Sequence, residues 1–129
     1  MKTLGVHHVG LAVSDVQASA QFFTQCLGWT VAREVPSYPA IFVTNGHAFL
    51  TLWQTEAGAT AFDRRRQVGL HHIALQVASE QDLLETFAAV QAYPGVRVEF
   101  APELRGAGPS KHCMIYEPSG LRIEFVWAP

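Results

Sequence analysis

The stretch VHHVGLAV, Val6–Val13, has a near copy further along the chain, LHHIALQV at Leu70–Val77. Each carries a histidine doublet followed by apolar residues at every second position, the period of a half-buried strand. The copies lie 64 positions apart and share both histidines, a leucine and a valine. The segments after the two copies are also alike. Ser14 opens a predicted helix with Gln17 in capping-box position; Val16, Phe23 and Leu27 fall on one face, and Gly28 closes it. Strand-like stretches come next at Trp29–Val35, Ala40–Thr44 and Ala48–Gln54, the last two joined by Asn45-Gly46, a hairpin signal. In the second half Ser79 caps a predicted helix to about Gln91, with Leu83, Leu84, Phe87 and Val90 as its apolar stripe. Tyr93-Pro94-Gly95 stops it, and strands are expected at Val96–Phe100, Lys111–Tyr116 and Leu121–Trp127, the last pair joined by the turn EPSG. Both halves read β-α-β-β-β, so the chain is expected to be α+β: module 1 over residues 4–56, a polar linker over 57–68 and module 2 over 69–127.

A length of 129 residues suits one domain made of two such modules. A net charge of −2 supplies no basic field for nucleic acid or an anionic membrane, and no apolar run reaches the roughly 20 residues of a membrane span. The start MKTLGVHH runs straight into a strand pattern and lacks the apolar core of a signal peptide, which makes a reducing cytoplasm the expected compartment. Cys26 and Cys113 are then expected to be free thiols. Arg64-Arg65-Arg66 in the linker reads as a solvated basic loop, with binding of an anionic substrate as the alternative, and APELRGAGPSKH as a long loop over the second sheet.

Side-chain parity assigns faces. In the first strand His7 goes with Val9, Leu11 and Val13; His8 goes with Gly10 and Ala12. In the second, His71 goes with Ile73, Leu75 and Val77; His72 goes with Ala74 and Gln76. The apolar faces should pack on the helices, so His7 and His71 are expected to point toward the packed layer, and His8 and His72 into a hollow. On the last strand Leu121, Ile123, Phe125 and Trp127 form the apolar face, with Arg122 and Glu124 opposite. A carboxylate in such a strand is costly to desolvate without a partner. Two histidines and a glutamate aimed into one concave space form the 2-His-1-carboxylate set, which suits divalent Fe, Mn, Ni or Zn and leaves positions open for substrate.

With these residues in view, the sequence resembles the vicinal oxygen chelate superfamily: glyoxalase I, extradiol dioxygenases, methylmalonyl-CoA epimerase, fosfomycin-resistance enzymes and bleomycin-binding proteins. The resemblance spans nearly the whole chain and rests on HHVGLAVSDVQASAQFFTQCLGW, HHIALQV and YEPSGLRIEF. It implies a cupped mixed sheet built from two βαβββ modules. It also implies that His8 of HVGLAV, His72 of HIALQV and Glu124 of GLRIE are metal ligands. The chemistry implied is chelation of a small oxygenated substrate by a divalent metal, as in a dioxygenase or a lyase/isomerase, with a small-molecule (antibiotic) binding and resistance protein as the alternative. Many two-module relatives pair across a twofold dimer, so a homodimer is expected, with His8 of one copy meeting His72 and Glu124 of the other.

Departures from the family pattern are specific. Glyoxalases and similar epimerases place a second glutamate where AFLTLW has Thr51. Fosfomycin transferases carry a threonine where this chain has Gly10, and extradiol dioxygenases a tyrosine where it has Met114. The remaining candidates share the parity of the expected ligands. His112 is an expected acid or base and Tyr116 a second catalytic candidate; Arg122, Trp53 and Thr51 are expected to contact substrate. His47, after the Asn45-Gly46 turn, is expected to be exposed.

Overall fold

The computed structural model describes residues 1–129, which divide into two compact units, Met1–Ala59 and Thr60–Pro129. In the first unit the strands are β1 (Val9–Val13), β2 (Thr30–Val35), β3 (Ala40–Thr44) and β4 (Phe49–Gln54), in the order β1-β4-β3-β2. β1 runs parallel to β4 and the other pairs are antiparallel, so the sheet is mixed. Helix α1 (Val16–Gln21) ends in a π-type turn, Phe22–Cys26. Register sets Leu50 between Val9 and Val43, and Leu52 between Leu11 and Ile41. These side chains meet Val16, Phe22 and Phe23 in the core, where both phenylalanines are fully buried. Each such burial contributes roughly 1.5–3 kcal/mol.

The start of α1 differs from the expected capping box. Asp15, not Ser14, is the N-cap, and its Oδ1 accepts from the Ala18 amide at 2.9 Å. The next free amide, of Val16, donates to Oε1 of Gln54 from β4 at 2.8 Å, and the Gln54 amide nitrogen donates to the Ser14 carbonyl at 2.6 Å. Gln54 thus takes the part expected of Gln17. At the other end Gly28 adopts φ 72°, the left-handed conformation that lets the Trp29 amide turn back to the Phe23 carbonyl at 2.9 Å. The Asn45-Gly46 turn is a four-residue loop in which Asn45 Oδ1 accepts from the amides of His47 and Ala48; His47 is exposed, as expected.

The second unit repeats the plan with β5 (Ile73–Val77), α2 (Glu80–Ala92), β6 (Arg97–Leu104), β7 (Lys111–Tyr116) and β8 (Arg122–Trp127), in the order β5-β8-β7-β6. Ser79 caps α2, accepting from the Asp82 amide at 3.0 Å. Leu83 and Val90 are fully buried against Cys113, Ile115, Ile123 and Phe125, whereas Leu84, expected in that stripe, is exposed. The expected loop from Ala101 is shorter than its composition implied. β6 continues to Leu104 with two register shifts against β7, and the one between Phe100 and Glu103 takes in Pro102, which has no amide to donate. The remaining connection folds back through the Arg105 amide, which donates to the Ser110 carbonyl at 2.8 Å. Both cysteines are free, and burial pushes the Cys113 thiol up to about 11. No helix is long and apolar enough to cross a membrane.

Strand parity holds where strands exist. Leu11 and Val13 are buried while Gly10 and Ala12 are exposed; Ile73, Leu75 and Val77 are half-buried while Ala74 and Gln76 are exposed. The expectation for His7 and His71 is corrected, because both are exposed rather than set toward the packed layer. The pairing that forces side chains to alternate begins only at Val9 and Ile73, so the doublets stand just before their strands.

Candidate active site

In the second unit the face opposite the core gathers ionisable groups. β8 lies between β5 and β7, with Glu124 in register with Ala74 on one side and Met114 on the other. His112, Met114 and Tyr116 therefore share a face with Arg122 and Glu124, while Cys113, Ile115, Ile123 and Phe125 turn to the core. Glu124 is only 5% exposed, yet its carboxylate is well supplied. Oε2 lies 3.1 Å from His72 Nε2; Oε1 lies 2.8 Å from His112 Nδ1 and 3.5 Å from Arg105 Nε. The ring of His112 is itself held by Phe100, with centroids 4.9 Å apart. These contacts meet the cost of burying the carboxylate.

The donor chemistry here fits part of a divalent-metal site. Ligand nitrogens and carboxylate oxygens sit about 2.0–2.2 Å from such an ion, which separates neighbouring donors by roughly 3 Å. His72 Nε2 and Glu124 Oε2 have that separation, and Oε1 is occupied by His112, so Glu124 would ligate through Oε2 alone. No three His, Cys, Asp or Glu side chains gather into a complete metal-holding group. His72 and Glu124 thus supply two donors, and a third ligand must come from elsewhere.

A second cluster on this face centres on Glu99 of β6. Its carboxylate takes both prongs of Arg122, from Nε at 2.9 Å and Nη2 at 2.6 Å, and the Tyr116 hydroxyl donates to Oε1 at 2.6 Å. Arg64 donates to the Tyr116 oxygen at 2.9 Å and lies 3.6 Å from Glu99. Arg97 stacks over the Tyr116 ring, 4.0 Å from its centroid. Hydrogen bonds from Arg122 first, then Tyr116, hold the Glu99 carboxyl at about 2, well below the usual carboxylate range. Desolvation, then the charge of Arg122, keeps the His71 imidazole below its ordinary value. Arg64 is therefore not merely solvated as its sequence context implied. Tyr116 and Arg122 have their polar atoms engaged around Glu99.

The corresponding face of the first unit is aromatic. Gly10 is in register with Thr51 as Ala74 is with Glu124, so Thr51 stands where the second module has its carboxylate. Thr51 is 3% exposed, and its hydroxyl accepts from the Trp53 indole N–H at 2.9 Å. Tyr38 and Phe42 pack around Trp53, with ring centroids 4.7 and 5.5 Å away. Gly10 leaves the room this pair needs: a Cβ there would lie 3.3 Å from Thr51 Oγ1. His8 meets His7, Nδ1 to Nδ1 at 2.8 Å, and its ring faces Phe49, centroids 6.4 Å apart.

Glu99 and Arg105 belong to these clusters, although sequence reasoning does not single them out, and so does His71, which parity assigned to the packed layer. Glu99 carried a signal: with Arg97 it forms a charged alternation on β6, across from Tyr116 on β7. Arg105 sits in a segment that reads as loop, and its reach to Glu124 depends on the extension of β6.

A family model described as the Glyoxalase/Bleomycin resistance protein/Dioxygenase superfamily matches residues 5–125. A 2-epi-5-epi-valiolone epimerase from an Actinomyces species is 27% identical, over 98% of this chain and 80% of the relative. Among solved structures, a glyoxylase/bleomycin resistance protein/dioxygenase domain from Frankia sp. EAN1pec superposes with a TM-score of 0.82 at 22% identity, covering 99% of this chain and 94% of that one. Lactoylglutathione lyase from Agrobacterium tumefaciens gives 0.75 at 18%, covering 99% and 96%.

Proposed function

The chain belongs to the Glyoxalase/Bleomycin resistance protein/Dioxygenase superfamily, and on that footing we propose a metal-dependent enzyme acting on a small oxygenated substrate. A divalent ion (Fe, Mn, Ni or Zn) is held by His8, His72 and Glu124. The observation that carries this reading is the 3.1 Å approach of His72 Nε2 to Glu124 Oε2 on the face of the second sheet opposite its core. The 2-epi-5-epi-valiolone epimerase relative favours the lyase/isomerase branch over dioxygenase chemistry.

When bound, the ion would supply Lewis acidity toward a small oxygenated substrate. This chain's own residues do the rest. His112, bonded through Nδ1 to Glu124, fixes the carboxylate so that Oε2 faces His72, and keeps Nε2 for proton exchange with the carbon next to the substrate carbonyl. Trp53 gives an apolar wall whose orientation Thr51 sets. Arg122 and Tyr116, committed to Glu99, shape the polar side of the site rather than grip a substrate carboxylate directly. The protein works as a homodimer in a reducing cytoplasm, with His8 supplied by one copy and His72 and Glu124 by the other.

One observation favours a second reading, a small-molecule binding protein that works without metal: Thr51 replaces a carboxylate, and its hydroxyl is spent on Trp53. Two measurements separate the readings. Incubation with a panel of α-hydroxyketones in D2O is expected to give solvent exchange at the α-carbon that requires divalent metal and is lost in His112→Gln and Glu124→Ala. Ligand binding that ignores metal, with no exchange, supports the binding protein. Mixing His8→Ala chains with Glu124→Ala chains should restore metal binding to about a quarter of wild type, since half the dimers are mixed and each regains one site. No recovery after confirmed subunit exchange refutes the shared arrangement.

A further inference from the structure

Neighbouring side chains of a strand point to opposite faces, so two consecutive imidazoles meet only where the strand has not begun. Both doublets stand there, and both meet in the same way: His7 and His8, and His71 and His72, approach Nδ1 to Nδ1 at 2.8 Å, with interplanar angles of 84° and 71°. The same contact arises separately in two units of different surroundings. A nitrogen-to-nitrogen hydrogen bond needs one donor and one acceptor, and in the second unit the roles are decided by a third group. Arg122 Nη1 lies 3.3 Å from His71 Nδ1, and a guanidinium has only donors. The His71 Nδ1 is therefore the acceptor, and the proton of the 2.8 Å contact sits on His72 Nδ1. Arg122 cannot drift, because Glu99 grips both its Nε and Nη2.

Resting on the metal reading above, we propose that the first histidine of each doublet, His7 and His71, is a positioning residue: it accepts the Nδ1 proton of the second and leaves Nε2 as the coordinating nitrogen. The chain of contacts runs from Glu99 through Arg122 and His71 to His72, whose Nε2 faces Glu124 Oε2 at 3.1 Å; with the Nδ1 proton donated to His71, these two atoms approach so closely only with a proton or a cation between them. Metal-ligating histidines ordinarily donate their other N–H to a carboxylate, a carbonyl or water. Here the preceding residue takes that part, which gives the repeated doublet its reason.

The test compares His71→Phe, which keeps a ring but has no acceptor, with His71→Asn, whose Oδ1 takes the place of Nδ1. Titration with Zn2+ and with Ni2+ should show His71→Phe weaker than wild type by about 10–100-fold, the usual effect of losing such a partner, and His71→Asn close to wild type. His7→Phe should weaken binding in the same direction. A second readout needs no metal. Nitrogen-15 NMR of the metal-free wild-type chain should find His72 protonated at Nδ1 and His71 bare at Nδ1. The opposite assignment, or His71→Phe binding as tightly as wild type, overturns the proposal; so does His71→Asn binding as weakly as His71→Phe, since ring packing would then be the cause. A wild-type chain that binds neither ion refutes the metal reading instead, and the NMR assignment still decides the doublet.

Discussion

Replacing Glu99 with glutamine tests whether the second ionic cluster stabilises the second sheet on the face opposite its core. In the folded protein the Glu99 carboxyl is depressed from its ordinary value of 4.5 to about 2. At 1.36 kcal/mol per unit that is worth about 3 kcal/mol. The side chain is 25% exposed, and solvent screening reduces the figure to about 1–2 kcal/mol. The sign follows from the depressed value. The stabilisation is fully present above the unfolded pKa near 4.5 and is lost as pH falls through about 2. Urea denaturation at pH 7 should find Glu99→Gln less stable than wild type by about 1–2 kcal/mol, with the gap narrowing by about half at pH 3. Equal stabilities at pH 7, or a gap that widens in acid, would refute the reasoning.

Three further substitutions test the capping and packing. Asp15→Ala should cost about 1 kcal/mol by removing the cap on α1, while Ser14→Ala, which the capping-box reading would make the damaging change, should cost little; thermal melts of the pair decide between them. Ile123→Ala, at a fully buried site on β8 beside Glu124, should cost about 2–5 kcal/mol in denaturant unfolding, and a loss below 1 kcal/mol would mean that the β8 core face is assigned wrongly.

The duplicated plan was legible in the sequence because strand alternation and helix stops are local signals. Parity put Glu124, His112, Tyr116 and Arg122 on one face, and the β7–β8 register does the same. The features that sequence does not reveal depend on distant partners. The cap of α1 is shared with Gln54, which lies 38 residues from Val16, and no local pattern announces that. The length of β6 is hidden by Pro102, a residue that ends most strands but is absorbed here by a register shift. His7 and His71 take their expected faces from a parity that begins only after them. Glu99 is inconspicuous in sequence because its worth lies in Arg122 and Tyr116, far along the chain.

The most direct test of the central claim is the metal content of the protein purified without an affinity tag. Elemental analysis should find about one divalent ion per chain, Fe, Mn, Ni or Zn, in the wild type. Glu124→Ala, His72→Ala and His8→Ala should each lose it while keeping the folded circular-dichroism spectrum. A wild-type protein that takes up none of the four ions, or a Glu124→Ala protein that retains its metal, would contradict the account.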